Sequence, residues 1–152
     1  PRHDAKKFID DYLSRFPGIQ QYMERTIDMV KTNEFTSTIF GRRCYFPDIN
    51  SRNHAIRSFN ERAAINAPIQ GSAADIIKRA MIKISDSIEL KKLRSKMILQ
   101  IHDELVFEVP NDEVQIMKSL VTESMENATK PLMNFSVPLK IDMSVSRSWD
   151  QF

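Results

Sequence analysis

The segment MILQIHDELVFEVP, residues 97–110, constrains the fold more than any other part of this chain. Its two apolar runs have the composition of β-strands, yet the ionisable residues His102, Asp103 and Glu104 lie between them. One continuous strand would carry these side chains into the interior of a sheet, where an unpaired charge is strongly unfavourable. We therefore predict a β-hairpin with His102 and Asp103 at its turn. The segment has no glycine, so the turn differs from the common Asn-Gly hairpin.

The His-Asp-Glu triplet supports three interpretations. A pair of carboxylates at a rigid strand end can hold a hard cation, and Mg²⁺ prefers such oxygen ligands. The triplet is also compatible with a solvated turn that is merely polar. A metal-dependent hydrolase with His102 and Asp103 as ligands would need more histidines, and neither His3 nor His54 has ligand-like spacing to them.

The first half of the chain alternates between helical and strand patterns. Apolar residues at helical spacing predict two helices before residue 33, with a break at Pro17-Gly18. Residues 36–46 predict a hairpin that turns at Gly41. From about Ser51 to Ser85 the pattern is helical again, but Pro68 disfavours α geometry at the residue before it. We expect two helices there, or one sharply kinked helix.

The second half predicts one more helix and a closing strand. Residues 112–129 form an amphipathic helix whose inward side carries Val114, Met117, Leu120, Val121 and Met125. Residues 137–150 alternate weakly and predict a strand with one apolar side, formed by Leu139, Ile141, Met143 and Val145. The whole chain of 152 residues is expected to form one domain of the α+β class, with antiparallel hairpins packed on amphipathic helices, one of them interrupted by proline.

Arg62, Asn66 and Gln70 are four residues apart and form one polar stripe on a helix. The stripe is compatible with a solvated face. It is also suited to the DNA minor groove, where all four base pairs present acceptors at purine N3 and pyrimidine O2. Donor side chains can reach these acceptors without selecting a sequence. The opposite side carries Ala63, Ala64, Ile65 and Ala67, and its small residues would let this helix pack closely.

The composition of the chain excludes some classes of protein but does not indicate a function. The chain has 22 basic and 20 acidic residues, so a nucleic-acid assignment must depend on where the charges lie. Its single cysteine, Cys44, excludes an internal disulfide and fits a reducing cytoplasmic location. The apolar runs are too short for a transmembrane helix. The chain begins at Pro1 without a methionine, and we expect it to be a piece of something longer.

Three blocks of the sequence resemble, in order and spacing, blocks of the family A DNA polymerases: RRCYFPDINSRN, ERAAINAPIQGSAADIIKRAMI and QIHDELVFEVP. The closing SWDQ is similar to the end of such proteins. The resemblance implies that Asp103 is one of two metal-binding catalytic aspartates, that Glu104 is its supporting acidic neighbour and that His102 lies near the primer terminus. It further implies that Arg62, Asn66 and Gln70 contact the primer–template minor groove. The arginines of the basic hairpin and the segment after it would face the DNA backbone: Arg42, Arg43, Arg52 and Arg57.

The resemblance also implies a reaction and its partners. The family joins deoxynucleoside triphosphates to a primer on template DNA, in replication and repair, with two Mg²⁺ ions. The second catalytic aspartate and the nucleotide-binding helix of the family have no counterpart in this sequence. We therefore expect residues 1–152 to be a C-terminal fragment, the palm with part of the fingers, which is inactive alone and self-associates. The rival interpretation is a non-catalytic nucleic-acid-binding module.

Overall fold

The chain divides into two compact units, Pro1–Ser72 and Ala73–Phe152. The computed structural model describes residues 2–148, and the side chains of Arg2 and His3 are not considered. The elements are α1 (Arg2–Arg15), α2 (Pro17–Asn33), β1 (Phe35–Ser37), β2 (Arg43–Tyr45), α3 (His54–Leu90), β3 (Lys96–Ile101), β4 (Glu104–Glu108), a 3₁₀ turn (Asn111–Glu113) and α4 (Val114–Glu126). This order of helices and antiparallel hairpins confirms the predicted α+β class.

The two predicted N-terminal helices are present, with their boundary at Pro17. Proline suits the first turn of α2, because its missing N–H would have no helical partner there. At the other end, Glu34 adopts a left-handed conformation (φ 60°) and its N–H donates to the carbonyl of Val30 at 2.8 Å. This contact ends α2 and directs the chain into β1.

The core of the first unit lies between α2, the segment after β2 and the first part of α3. It consists of Val30, Phe46, Ile49 and Ala64, all buried. Ala63 and Ala67 pack against it, so small residues of α3 do allow a close approach, as the sequence predicts. The predicted hairpin is also present, with Phe35 opposite Tyr45 and Ser37 opposite Arg43.

Of the two alternatives for the third helix, the expectation of two separate helices is wrong, because α3 is one helix of 37 residues with Pro68 inside it. Proline removes one donor, the N–H that would bond the carbonyl of Ala64. Ala64, whose carbonyl lacks this bond, is fully buried in the core of the first unit. Within the described residues, neither α3 nor any other helix is long and apolar enough to cross a membrane.

The core of the second unit lies between α4, the second part of α3 and the β3–β4 hairpin. Its buried members are Ile84, Met117, Leu120 and Val121. Residues of both strands, including Met97 and Phe107, pack against it. The predicted amphipathic helix is present over Val114–Glu126, and Met117, Leu120, Val121 and Met125 face the core as expected. Val114, the fifth residue predicted inward, is half-buried and lies at the start of the helix. The side chain of Lys83 joins α3 to the end of α4 by donating to the carbonyl of Asn127 at 2.7 Å.

The predicted closing strand is wrong in the part that the structure describes, because residues 137–148 contain no strand. A strand needs a neighbour for its backbone groups, and this segment pairs with neither of the two-stranded sheets of the described residues. Ile141 still packs against the core of the second unit, whereas Met143 and Val145 are exposed. Of the SWDQ motif, Ser148 is the last described residue, and Trp149, Asp150 and Gln151 lie outside the described residues.

Candidate functional site

The predicted turn between β3 and β4 is present. Ile101 pairs with Glu104, which leaves His102 and Asp103 as the two residues of the turn. All three residues of the triplet, His102, Asp103 and Glu104, are exposed. The hairpin thus presents both carboxylates to solvent and avoids burying them unpaired.

The backbone of this turn is unusual at His102, whose φ angle is 53°. A side chain with a Cβ atom rarely adopts the left-handed region, which costs roughly 1–2 kcal/mol. The amide of Gln100 donates to the carbonyl of His102 at 2.6 Å and so supports the conformation. Strained residues of this kind concentrate at functional sites.

A β-bulge in β3 sets which side chains share a face of the hairpin. Met97 pairs with Phe107, but Leu99 pairs with Val106, so Ile98 is an additional residue in β3. In a regular strand, side chains alternate between the two faces of the sheet. The extra residue shifts this alternation by one, so the residues of β3 after the bulge lie on the other face from the one expected. Gln100 therefore lies opposite Leu105 and on the same face as Met97, from which its amide reaches the turn.

The donor set of the turn suits a hard cation, because Asp103 and Glu104 supply carboxylate oxygens. In the described range, 2–148, no cluster of three or more His, Cys, Asp or Glu side chains could hold a metal ion. The two carboxylates alone would therefore give only part of a coordination sphere, and metal binding at the turn stays a prediction. The hydrolase interpretation needs further histidines near His102, and the described residues contain no metal-binding cluster that would support it.

The polar stripe lies in the first unit, on α3, as predicted. Arg62, Asn66 and Gln70 are all exposed along one side of the helix. The guanidinium of Arg62 donates to the hydroxyl of Ser58 at 2.7 Å, one helical turn earlier. The opposite side of the same helix segment carries the buried Ala64, so the stripe faces away from the core. Three donor side chains are thus available on one accessible surface.

Three of the four arginines that the family resemblance assigns to the DNA backbone have partners within the first unit. Arg42 donates to the carbonyl of Gly71 at 3.0 Å. The guanidinium of Arg43 lies 4.4 Å from the centre of the Phe35 ring, a cation–π contact. Arg57 donates to the carbonyl of Ser51 at 3.0 Å, while Arg52 is exposed. These contacts leave the assignment to the DNA backbone a prediction.

One carboxylate of the second unit, whose pKa is strongly lowered, escaped the sequence analysis. The carboxylate of Glu113 accepts hydrogen bonds from the backbone N–H groups of Arg94 and Ser95, both at 2.9 Å, and from the Ser95 hydroxyl at 2.6 Å. The bond from the Arg94 backbone contributes most, and together they lower the pKa of Glu113 from 4.5 to about 2. Nothing in the local pattern marks Glu113, because its partners lie 18 and 19 residues earlier.

The family model and the similar proteins that match this chain all point to the same family. The family model described as DNA polymerase family A matches residues 1–151. DNA polymerase I of Rhizobium leguminosarum is 48% identical over 152 residues, which cover 99% of this chain and 15% of that protein. DNA polymerase I of Bacillus subtilis (strain 168) is 47% identical over 148 residues, which cover 97% of this chain and 16% of that protein. The chain therefore spans about a sixth of the length of these relatives.

A solved structure is similar over nearly the whole chain. It is described as the POL domain of Pol1 from M. smegmatis in complex with DNA primer-template and dNTP. The TM-score is 0.93 and the identity 44%, over 99% of this chain and 26% of that chain. The fold described above is thus also found in a longer solved chain.

Proposed function

This chain belongs to DNA polymerase family A, and we propose that it forms the C-terminal part of the polymerase domain of a longer DNA-directed DNA polymerase. The observation that carries the proposal is the similarity, over 99% of the chain, to a polymerase domain solved with primer-template and dNTP. Residues 1–152 would form the palm with an adjoining part of the fingers. The short span relative to the curated proteins, 15–16% of their length, supports a fragment.

The proposed reaction is nucleotidyl transfer, in which the 3′-hydroxyl of a primer attacks the α-phosphate of a deoxynucleoside triphosphate and pyrophosphate leaves. Asp103 is the proposed metal ligand from this chain, because its carboxylate is exposed at a turn that two paired strands support. Glu104 follows directly and adds negative charge beside it. His102 precedes Asp103 and is the proposed neighbour of the primer terminus.

The proposed metal is Mg²⁺, which oxygen ligands of this kind favour over zinc. Two such ions, once bound, supply a more nucleophilic primer hydroxyl and compensate the charge of the leaving pyrophosphate. This chain's own contribution is to hold Asp103 rigidly at the turn. The family resemblance assigns the other catalytic aspartate, and the residues that bind the triphosphate, to a part of the polymerase beyond this chain.

The stripe of Arg62, Asn66 and Gln70 is the proposed contact to the primer–template minor groove. All three side chains are donors and all three are exposed on one side of α3. Acceptors occur at equivalent minor-groove positions in every base pair, so donors hold the duplex without sequence preference. A polymerase needs this property because it must extend after any correct pair.

The first experiment is Mg²⁺-dependent primer extension with wild type and Asp103→Ala, in this chain alone and in a family A polymerase that contains it. We expect no extension by the chain alone. In the complete polymerase, Asp103→Ala should lower the extension rate on the order of a thousandfold, since it removes a ligand of the catalytic metal. Glu108→Ala is the matched control, because Glu108 is an exposed carboxylate at the far end of the same hairpin.

Two outcomes would count against the proposal. Equal losses in Asp103→Ala and Glu108→Ala would indicate a general effect of charge or stability. Extension by the chain alone, abolished by Asp103→Ala, would mean that these residues or a second copy complete the metal site.

The second candidate function is a non-catalytic nucleic-acid-binding module. It is favoured by the exposed donor stripe, which needs no metal to bind DNA. This candidate predicts that Arg62→Ala weakens duplex binding while Asp103→Ala leaves both binding and extension unchanged. For either candidate we propose a cytoplasmic location, since the DNA of the bacterial relatives lies in that compartment.

A further inference from the structure

The loop between β1 and β2, residues 38–42, has a closed internal structure. Thr38 and Arg42 face each other, with the Thr38 N–H donating to the Arg42 carbonyl at 2.9 Å. The Thr38 hydroxyl oxygen accepts from the N–H groups of Phe40 and Arg42 at 3.3 and 3.2 Å. Gly41 has a φ angle of 85°, which a tight loop needs at this position. These contacts make the loop a defined surface on the first unit.

This loop binds one turn of α3, residues 68–72, at two points. The N–H of Ile39 donates to the hydroxyl oxygen of Ser72 at 3.0 Å, and that hydroxyl donates to the carbonyl of Pro68. Arg42 donates from its guanidinium to the carbonyl of Gly71 at 3.0 Å. The loop thus bonds to the helix in the turn that begins at proline.

Gly71 lets the loop approach closely. A Cβ atom at this position would lie 2.8 Å from the Cγ2 atom of Thr38 and 3.2 Å from the Nη2 atom of Arg42. The φ angle of Gly71 is outside the left-handed region, so its backbone alone does not require glycine. Alanine would favour a helix by about 1 kcal/mol. The close approach therefore explains the glycine.

The turn of α3 that the loop contacts, residues 68–72, contains Gln70 and follows Asn66. Both are donors of the polar stripe. Directly before this turn the helix lacks one hydrogen bond, because Pro68 has no N–H to donate to the carbonyl of Ala64. We propose that loop 38–42 is a positioning element, which acts through Gly71 and Ser72 to set where the Gln70 amide lies against the minor groove. This inference rests on the proposed function. Gly71 and Ser72 are positioning residues in it and do not contact DNA.

The test uses a family A polymerase that contains this chain, and primers in which a 3-deazapurine replaces a purine at the terminus or at one of the next two pairs. The 3-deazapurine lacks the N3 acceptor of the minor groove, so a polymerase that uses this contact extends it more slowly. We expect wild type to lose about fivefold to tenfold at one position, the scale of one hydrogen bond. Gln70→Ala should show no such loss at that position.

Gly71→Ala should reduce this 3-deazapurine penalty to about twofold or less and lower the extension efficiency on normal primers, because the contact is displaced. Gly18→Ala is the matched control: no heavy atom lies within 4 Å of its added Cβ, and the penalty should stay as in wild type. Ser72→Ala removes the acceptor for Ile39 without adding bulk, and should reduce the penalty even if Gly71→Ala does not fold.

Two results would overturn the inference. If Gly71→Ala and Ser72→Ala lower the melting temperature but keep the full penalty, the loop supports only the fold, and the proposed role of Gln70 stands. If wild type shows no penalty at any position, or Gln70→Ala keeps it, the proposed minor-groove contact fails as well. The comparison of Gln70→Ala with Gly71→Ala therefore separates the two failures.

Discussion

Glu113 and Ser95 are joined by two hydrogen bonds to one carboxylate oxygen, from the Ser95 N–H at 2.9 Å and from its hydroxyl at 2.6 Å. Ser95 directly precedes β3 and Glu113 directly precedes α4. Both residues are buried, with 3% and 8% of their surface exposed. The pair thus ties the start of the hairpin that carries Asp103 to the start of the helix beneath it.

The first prediction concerns the pH dependence of stability. The pKa of Glu113 falls from 4.5 to about 2 on folding, so its ionised form stabilises the folded state. That contribution is complete above pH 4.5 and is lost as the pH falls towards 2. Glu113→Gln should therefore lower the urea midpoint at pH 7, and its difference from wild type should shrink steadily between pH 4.5 and 2.5.

Asp112→Asn is the control for this series. Asp112 pairs with Arg94, but its side chain is 71% exposed, and exposed ion pairs contribute little. We expect a midpoint close to that of wild type at every pH. A Glu113→Gln difference that stays constant from pH 7 to pH 2.5 would contradict the assigned role of the Glu113 charge.

The second prediction concerns the left-handed conformation of His102. Because glycine adopts φ 53° without steric cost, His102→Gly should be about 1 kcal/mol more stable to urea than His102→Ala. At Glu108, a strand residue, the order should reverse, since glycine weakens strands. Equal stabilities of the two His102 variants would mean that the turn relaxes to an ordinary conformation.

The third prediction concerns the core of the second unit. Ile84 is fully buried among Met117, Leu120 and Val121, so Ile84→Ala removes packed methyl groups and leaves a cavity. We expect a loss of about 2–5 kcal/mol in the free energy of unfolding, measured by urea denaturation. Ile82→Ala is the matched control, because Ile82 lies two residues earlier in α3 and is 60% exposed. Its loss should stay below about 0.5 kcal/mol, and comparable losses would contradict the assigned core.

The fourth prediction is self-association of this chain, which remains untested. Phe8 is 74% exposed and Tyr12 47% exposed on α1, one helical turn apart. Exposed apolar side chains that form a patch tend to find partners. We expect light scattering at micromolar concentrations to give a mass above that of the monomer, and the double substitution Phe8→Ser with Tyr12→Ser to lower it. Phe59→Ser is the control, as an exposed aromatic of α3, and a monomer in wild type would refute the prediction.

Local patterns were sufficient to predict most elements and the position of the candidate site. The turn at His102-Asp103 followed from the charge of three residues between apolar runs, because charged side chains are not stable unpaired inside a sheet. The inward side of α4 followed from helical periodicity. The donor stripe followed from its spacing of four. In each case the physical cause acts between residues close together in the chain.

Contacts between distant residues decided the rest. Pro68 left two helices or one kinked helix open, and the structure has one helix with Pro68 inside it. Residues 137–148 have strand composition but form no strand in the described part of the chain. The role of Gly71 depends on Thr38, and the pKa of Glu113 depends on Arg94. The sequence by itself determined which residues favour helix, strand or turn, because these preferences are local. Only the tertiary structure decided which of these local preferences are kept in the fold. It also decided which partner each buried polar group bonds to, because preferences and partners alike depend on the neighbours that folding supplies.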